Sequence, residues 1–262
     1  MKPETSSPVS YSNRFQNPAD VEAYERGEYS STSYSSCIWR LQQPFLAAVF
    51  AQFRERRSGQ SIRLLDFACG SGRILSFVEG LAEDAVGVDI SAEMAEVARH
   101  KCKKAEVRVG DILQQPELLQ SPYDLITSFR FLLNVENEMR HKALQRLREV
   151  IRTPDGLLVV NVHGNSRSLR HPAIWWKRNR QSAAQSTVAA PVMLNEMSLA
   201  ETRTLLADCG FEVVQMLGFG VMPPTLYRTP LRRLALAVDR WFAGRQWLVG
   251  CSVDLMFVCR PK

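Results

Sequence analysis

Three successive apolar runs in this chain close on a carboxylate. The runs are Ile62–Phe67, Ala85–Asp89 and Val107–Val109, and the carboxylates are Asp66, Asp89 and Asp111. Between the first two lies the loop Ala68-Cys69-Gly70-Ser71-Gly72, followed by the apolar residues Ile74, Leu75, Phe77, Val78 and Leu81 at helical spacing. A short strand, a glycine loop and a helix in repetition can be satisfied by few folds. Strands that alternate with helices form a mostly parallel sheet with helices on both faces. All the strand ends, and so all three carboxylates, then lie along one edge, where doubly wound sheets bind ligands.

The rest of the chain continues the alternation. Pro18-Ala19-Asp20-Val21-Glu22-Ala23-Tyr24 can open a short helix, and a firmer one runs from about Ile38 to Arg57, stopped by Ser58-Gly59. Met94, Val97, Ala98 and Cys102 recur at helical spacing behind Ser91, a residue suited to cap a helix start. Tyr123–Thr127 reads as a fourth strand. Ala143, Leu144, Leu147, Val150 and Ile151 mark a helix that ends at Thr153-Pro154-Asp155-Gly156. Leu157–Val162 is continuously apolar and fits a central strand covered on both faces. A helix around Leu199–Leu206, a sixth strand Phe211–Leu217 and a seventh, Val253–Cys259, complete the pattern. The expectation is an α/β fold, a doubly wound, mostly parallel seven-stranded sheet of Rossmann-like type. Residues 1–58 form a tail and lid helices, and residues 59–262 the main domain. Residues 163–197 and 218–250 are too long for plain connections, and such connections are usually functional. They are expected to form a cap with the N-terminal region.

The strand tips carry the chemistry. Glycines at 70 and 72 let a ligand approach the backbone, since neither has a Cβ. Asp89, about twenty residues on, is placed to accept hydrogen bonds from both hydroxyls of a ribose. Asp111 can accept from an exocyclic adenine amine. Phe129 and Arg130 follow the fourth strand beside the same pocket. A dinucleotide site would require a small residue where Leu75 stands, and its pyrophosphate would face the negative charge of Asp66. A ligand with an ammonium and no phosphate fits Asp66 better, which favours S-adenosylmethionine over NAD.

These segments resemble those of class I S-adenosylmethionine-dependent methyltransferases, over roughly residues 60–217 and the closing strand. The resemblance implies a sheet whose last strand is antiparallel and a methyl-transfer activity. It implies Ala68, Gly70 and Gly72 around the methionine part of the cofactor, and Asp66 near its ammonium. Asp89 is implied at the ribose, Ile90 against the adenine, Asp111 and Ile112 at the adenine edge, and Phe129 on the far wall. The long insert between the sixth and seventh strands departs from the family's short hairpin, and leaves the acceptor open.

His163, just past the fifth strand, is the candidate general base, because imidazole titrates near neutral pH; a histidine bonded to a loop carbonyl is the alternative. His141 and His171 are weaker candidates. Tyr24, Tyr29, Tyr34 and Trp39 are candidates for a lid. The net charge of +6 concentrates in the second half, in Arg167, Arg170, Lys177, Arg178 and Arg180, and in Arg228, Arg232, Arg233, Arg240 and Arg245. This suits an anionic small-molecule or glycan acceptor, including a lipid-linked one, methylated on oxygen or nitrogen. Residues 230–243 read either as a cap helix packed on the core, with Leu231, Leu234, Ala235, Val238 and Phe242 on one face, or as a helix lying on an anionic membrane. No nucleic-acid module is legible, and Ser128-Phe129-Arg130-Phe131 stands where many base amino-methyltransferases have Asn-Pro-Pro-Tyr/Phe. That argues against a nucleic-acid acceptor; a nucleic-acid or protein methyltransferase and a non-catalytic cofactor-binding member of the fold stay open as alternatives. The six cysteines lack metal-site spacing and read as reduced thiols, so no metal is expected. No apolar run reaches the roughly 20 residues of a membrane span, and Met1–Ser7 lacks a signal core, which suggests a cytoplasmic protein.

Overall fold

The apolar segment Leu157–His163 (β5) sits deep in the sheet. It pairs in parallel with β4 (Leu125–Phe129) on one side and antiparallel with β7 (Asp254–Pro261) on the other. The computed structural model describes residues 17–28, 30, 33–119, 122–176 and 196–262. With β1 (Arg63–Phe67), β2 (Asp84–Asp89), β3 (Glu106–Val109) and β6 (Phe211–Phe219), the seven strands have the order β3-β2-β1-β4-β5-β7-β6. The first five are mutually parallel, and β7 runs antiparallel to both its neighbours. Chain order reverses between β1 and β4, where a doubly wound sheet opens a crevice.

Alternating side chains bury both faces. Leu65, Val86, Leu158 and Val160 pack with Ala143, Leu144 and Leu147 of α5 (Asn137–Val150) and Leu205 and Leu206 of α6 (Leu199–Asp208). Leu64, Leu125 and Val159 pack on the other face. Their partners are Leu46, Val49, Phe50 and Phe53 of α2 (Tyr34–Arg56), Leu75 and Val78 of α3 (Leu75–Val78), and Ala95 and Ala98 of α4 (Ala92–Lys101). The helix α2 is therefore part of the same core as the sheet. Ser33 caps it by accepting from Ser36 N at 3.1 Å, so it starts four residues before Ile38. The segment from Pro18 does form a helix, α1 (Pro18–Glu28).

Two elements differ from their sequence pattern. The helix expected to reach Leu81 stops at Val78. There Glu79 turns away and accepts from the backbone N–H groups of Lys103, Lys104 and Ala105 at 2.8–3.1 Å, tying the turn to the end of α4. Tyr123 makes only an isolated bridge to Ile151, so β4 begins at Leu125.

The insert after β6 holds a 3-10 turn at Pro224–Arg228 and the helix α7 (Arg232–Ala243). Asp239 anchors it. This buried carboxylate accepts from Val221 N at 2.8 Å and from the Tyr227 hydroxyl, and the Tyr227 ring packs edge-on against Tyr34 at 5.5 Å. Residues 171–176 of the other insert are helical. Tyr29, Lys177, Arg178 and Arg180 lie outside the described residues. All six cysteines are unpaired. Among the described residues, no helix is long and apolar enough to cross a membrane.

Gly72 joins the loop to α4. It has φ +76°, and a Cβ there would stand 2.8 Å from the Cα and Cβ of Ala98. Gly72→Ala combines a left-handed backbone penalty of about 1–2 kcal/mol with about 1–3 kcal/mol of overpacking. The expected loss is at least ~2 kcal/mol in urea denaturation; an unchanged midpoint would contradict this packing.

Candidate active site at the carboxyl edge of the sheet

A cavity opens above the β1/β4 reversal. Asp66, Ala68, Gly70, Asp89, Ile90 and Phe129 line it, six of the nine residues expected around a cofactor. The other three do not. Gly72 packs on α4. Asp111 turns its Oδ1 to the backbone N–H of Leu113 at 2.9 Å, closing the turn after β3. Ile112 is buried in the core beneath. The expected adenine-edge contacts of Asp111 and Ile112 are thus absent from the lining of this cavity.

Asp66 is 1% exposed. Its Oδ1 accepts from the Thr127 hydroxyl at 2.6 Å, which joins β1 to β4 across the reversal. Its Oδ2 is buried without a hydrogen bond. Burial raises the carboxyl from an ordinary 3.8 to about 7, against the Thr127 hydrogen bond, a backbone N–H from Leu75 and the charge of Arg73; the nearby Asp89 adds to the rise. An orphaned carboxylate oxygen under an open loop is costly unless a cation meets it. Asp89 is better satisfied. Its oxygens accept from Gly70 N at 2.7 Å and Ser91 N at 2.9 Å, while burial holds its carboxyl above the usual range.

The loop itself is strained. Ala68 and Arg130 both sit at positive φ, +54° and +62°, in a region L side chains rarely adopt. Such strain collects at functional sites. Gly70 also has positive φ, and a Cβ there would meet nothing within 4 Å, so the loop leaves open space above it.

The α1 helix covers the loop. Tyr24 lines the cavity, and Val21 packs against Met94. Glu25 accepts from the Ser71 hydroxyl and pairs with Lys101, whose Nζ lies 3.3 Å from Ser71 Oγ. Trp39 stands edge-on to Phe129 at 6.0 Å and to Phe77 at 5.4 Å, with the Arg73 guanidinium over its face at 5.4 Å.

A second cavity of about 290 Å³ adjoins the first, and Arg73 and Arg130 line both. His163, Tyr34, Arg228 and Asp254 are among the other polar residues that line it. His163 ends β5. Its Nδ1 is buried and makes no hydrogen bond, and burial together with the positive charges of Arg130 and Arg73 drives its pKa well below the ordinary histidine value. It is therefore neutral at physiological pH. Asp254 accepts from Asn161 Nδ2 at 2.6 Å and Gln42 Nε2 at 3.0 Å, and burial raises its pKa. The Tyr34 hydroxyl accepts from Arg170 at 2.8 Å. His141 is bonded to the Asn137 carbonyl and His171 to Glu196; neither lines these cavities.

Arg73, Asn134, Met94 and Phe131 escaped the sequence reading as site residues. Arg73 and Phe131 directly follow recognised segments, and adjacency could have nominated them. Gln42 and Asn161 carried no such signal, since they meet Asp254 across 212 and 93 residues.

Fold and site together define a Rossmann-like domain built for a nucleoside ligand with a cationic tail. A family model described as a methyltransferase domain matches residues 38–216, and the chain belongs to that family. The match starts within α2. An uncharacterized methyltransferase of Halobacillus halophilus is 22% identical over 161 residues, 61% of this chain and 74% of that protein. Two solved structures show the same fold. Magnesium protoporphyrin IX methyltransferase of Synechocystis PCC 6803, with SAH bound, superposes with a TM-score of 0.61 at 14% identity, covering 95% of this chain and 97% of that one. Mitomycin 7-O-methyltransferase gives 0.60 at 15% identity, over 97% and 61%. The chain is an S-adenosylmethionine-dependent methyltransferase, and S-adenosylmethionine is its cofactor. The orphaned Asp66 oxygen and the open space over Gly70 fit that group.

The raised Asp66 pKa has a sign that can be measured. In the cofactor-free protein the native state binds its proton more tightly than the unfolded chain does. Stability is therefore highest below about pH 4 for this group and is lost as pH rises toward about 7. The expected loss is on the order of 4 kcal/mol, at 1.36 kcal/mol per unit. Asp66→Asn should flatten that part of the pH dependence in urea denaturation between pH 5 and 8. Parallel profiles for the two proteins would show that Asp66 titrates normally.

Proposed function

We propose that the chain methylates an anionic small-molecule or glycan acceptor, on oxygen or nitrogen, bound in the second cavity. One observation carries the reading. Two arginines, Arg73 and Arg130, stand on the boundary between the cofactor cavity and its neighbour, and Arg228 lines the neighbour as well. The carboxylate there, Asp254, already accepts two amide hydrogens and is buried. Three arginines, Arg73, Arg130 and Arg228, against this single carboxylate leave the wall of the second cavity net positive, which favours an anion.

S-adenosylmethionine supplies, when bound, a methyl group on a sulfonium open to a nucleophile. The chain's residues do the rest. Asp66 holds the ammonium, Asp89 the ribose hydroxyls, and Ile90 one face of the adenine. Arg73 and Arg130 orient the acceptor, the part of catalysis in which positioning outweighs all else. Trp39 and Phe129 keep the boundary apolar. Neutral His163 can take a proton from a hydroxyl or ammonium. Its basicity is suppressed first by burial and then by the charges of Arg130 and Arg73, and an anionic acceptor lying between those charges and the ring would offset the charge part.

Incubation of the protein with methyl-tritiated S-adenosylmethionine and a cell extract is the test. Label is expected in an anionic product that survives nuclease and protease and partitions with small molecules or lipids. Label in nucleic acid or protein would overturn the proposal. With the product known, His163→Ala should lower kcat by about 10²- to 10⁴-fold at unchanged cofactor affinity, and Arg130→Gln should raise the acceptor KM.

A further inference from the structure

We infer that α7 docks the protein on an anionic lipid surface. The helix turns inward through small or anchoring residues. Ala235, Asp239 and Ala243 are its buried positions. The large apolar residues face the other way. Leu231 is 54% exposed, Leu234 59%, Trp241 50%, and Trp247 just beyond the helix 77%. Leu234, Ala237, Val238 and Trp241 stand at i, i+3, i+4 and i+7, so they form one outward stripe. Of the two sequence readings, the one that packs Leu231, Leu234, Ala235, Val238 and Phe242 on the core holds for Ala235 and fails for the two leucines.

Charge selects the occupant. Arg233 and Arg240, seven residues apart and both exposed, flank the stripe along its length. Arg245 lies over the Trp241 ring at 3.7 Å. Between Gly220 and Gly250 the sequence holds five arginines and one acid, Asp239, and that acid is 0% exposed. The outward face thus presents aliphatic and indole groups beside cations and no carboxylate. An amphipathic helix with that distribution matches the headgroup region of an anionic bilayer. A second copy of the chain would bring arginine against arginine, and the exposed leucines Leu231 and Leu234 gain nothing from a polyanionic nucleic-acid backbone, whereas a bilayer takes up leucine and indole together.

The face is joined to the second cavity. Asp239 holds Tyr227, Tyr227 packs on Tyr34, and both Tyr34 and Arg228 line the cavity. Docking would set the cavity beside the membrane. The inference stands apart from the identity of the acceptor, since surface binding needs neither acceptor nor turnover.

Co-sedimentation of the full chain with vesicles tests it directly. Binding is expected to phosphatidylcholine–phosphatidylserine vesicles and not to phosphatidylcholine alone, and should weaken steeply with salt. The double variant Leu234→Ser/Trp241→Ser should bind at least about tenfold more weakly. Each of Arg233→Gln and Arg240→Gln should cost about fivefold, the equivalent of ~1 kcal/mol per basic residue at such a surface. Thermal melts and S-adenosylmethionine affinity of these variants should match the parent, which separates docking from folding. No sedimentation with anionic vesicles would overturn the inference. So would sedimentation indifferent to these substitutions, or a solution dimer that the serine variant dissolves.

Discussion

A buried carboxylate with one oxygen unanswered lies beneath the glycine loop, and the site is organised around it. Asp66 reaches that place because β1 ends where the sheet reverses, and Thr127 of β4 holds its other oxygen across the gap. No core of a stable protein keeps such a charge without cause. The loop above is kept open by glycine at 70, and α1 is latched over it through Glu25, Ser71 and Lys101. The cofactor-free protein holds this oxygen at a cost, and a bound ammonium would relieve it.

The two cavities differ in sign. The first gathers the carboxylates Asp66 and Asp89; the second gathers Arg228 against a single carboxylate, Asp254, whose Oδ1 accepts two amide hydrogens. Arg73 and Arg130 mark the boundary. A cationic cofactor and an anionic acceptor would each find the complementary half, and the arginines would meet the acceptor where the methyl group leaves. The left-handed backbone at Arg130 fits that role, since it sets a long side chain at the tip of β4 where an extended strand would carry it elsewhere.

Much of this was legible in the sequence because it is local. Strand tips, the glycine loop and their spacing encode β1, β2 and one wall of the first cavity within thirty residues, from Ile62 to Ile90. Asp111 shows where local spacing runs out: a carboxylate two residues past β3 can serve a ligand or its own turn, and here its Oδ1 accepts from Leu113 N. Asp254, Gln42 and Asn161 meet only through tertiary folding, so spacing could not pair them. Two readings of residues 230–243 stay open in the sequence because periodicity reveals a stripe without saying which way it points. Asp239, a charge among apolar residues, is the inward anchor, and its partner Tyr227 lies outside the helix.

Calorimetric titration of S-adenosylmethionine at pH 7, in buffers of different ionisation enthalpy, tests the central claim most directly, because it counts protons. If Asp66 titrates near 7 and gives up its proton to meet the ammonium, wild-type protein releases about half a proton on binding, and Asp66→Asn releases distinctly less. No release by wild type, or the same release from both proteins, would contradict the account.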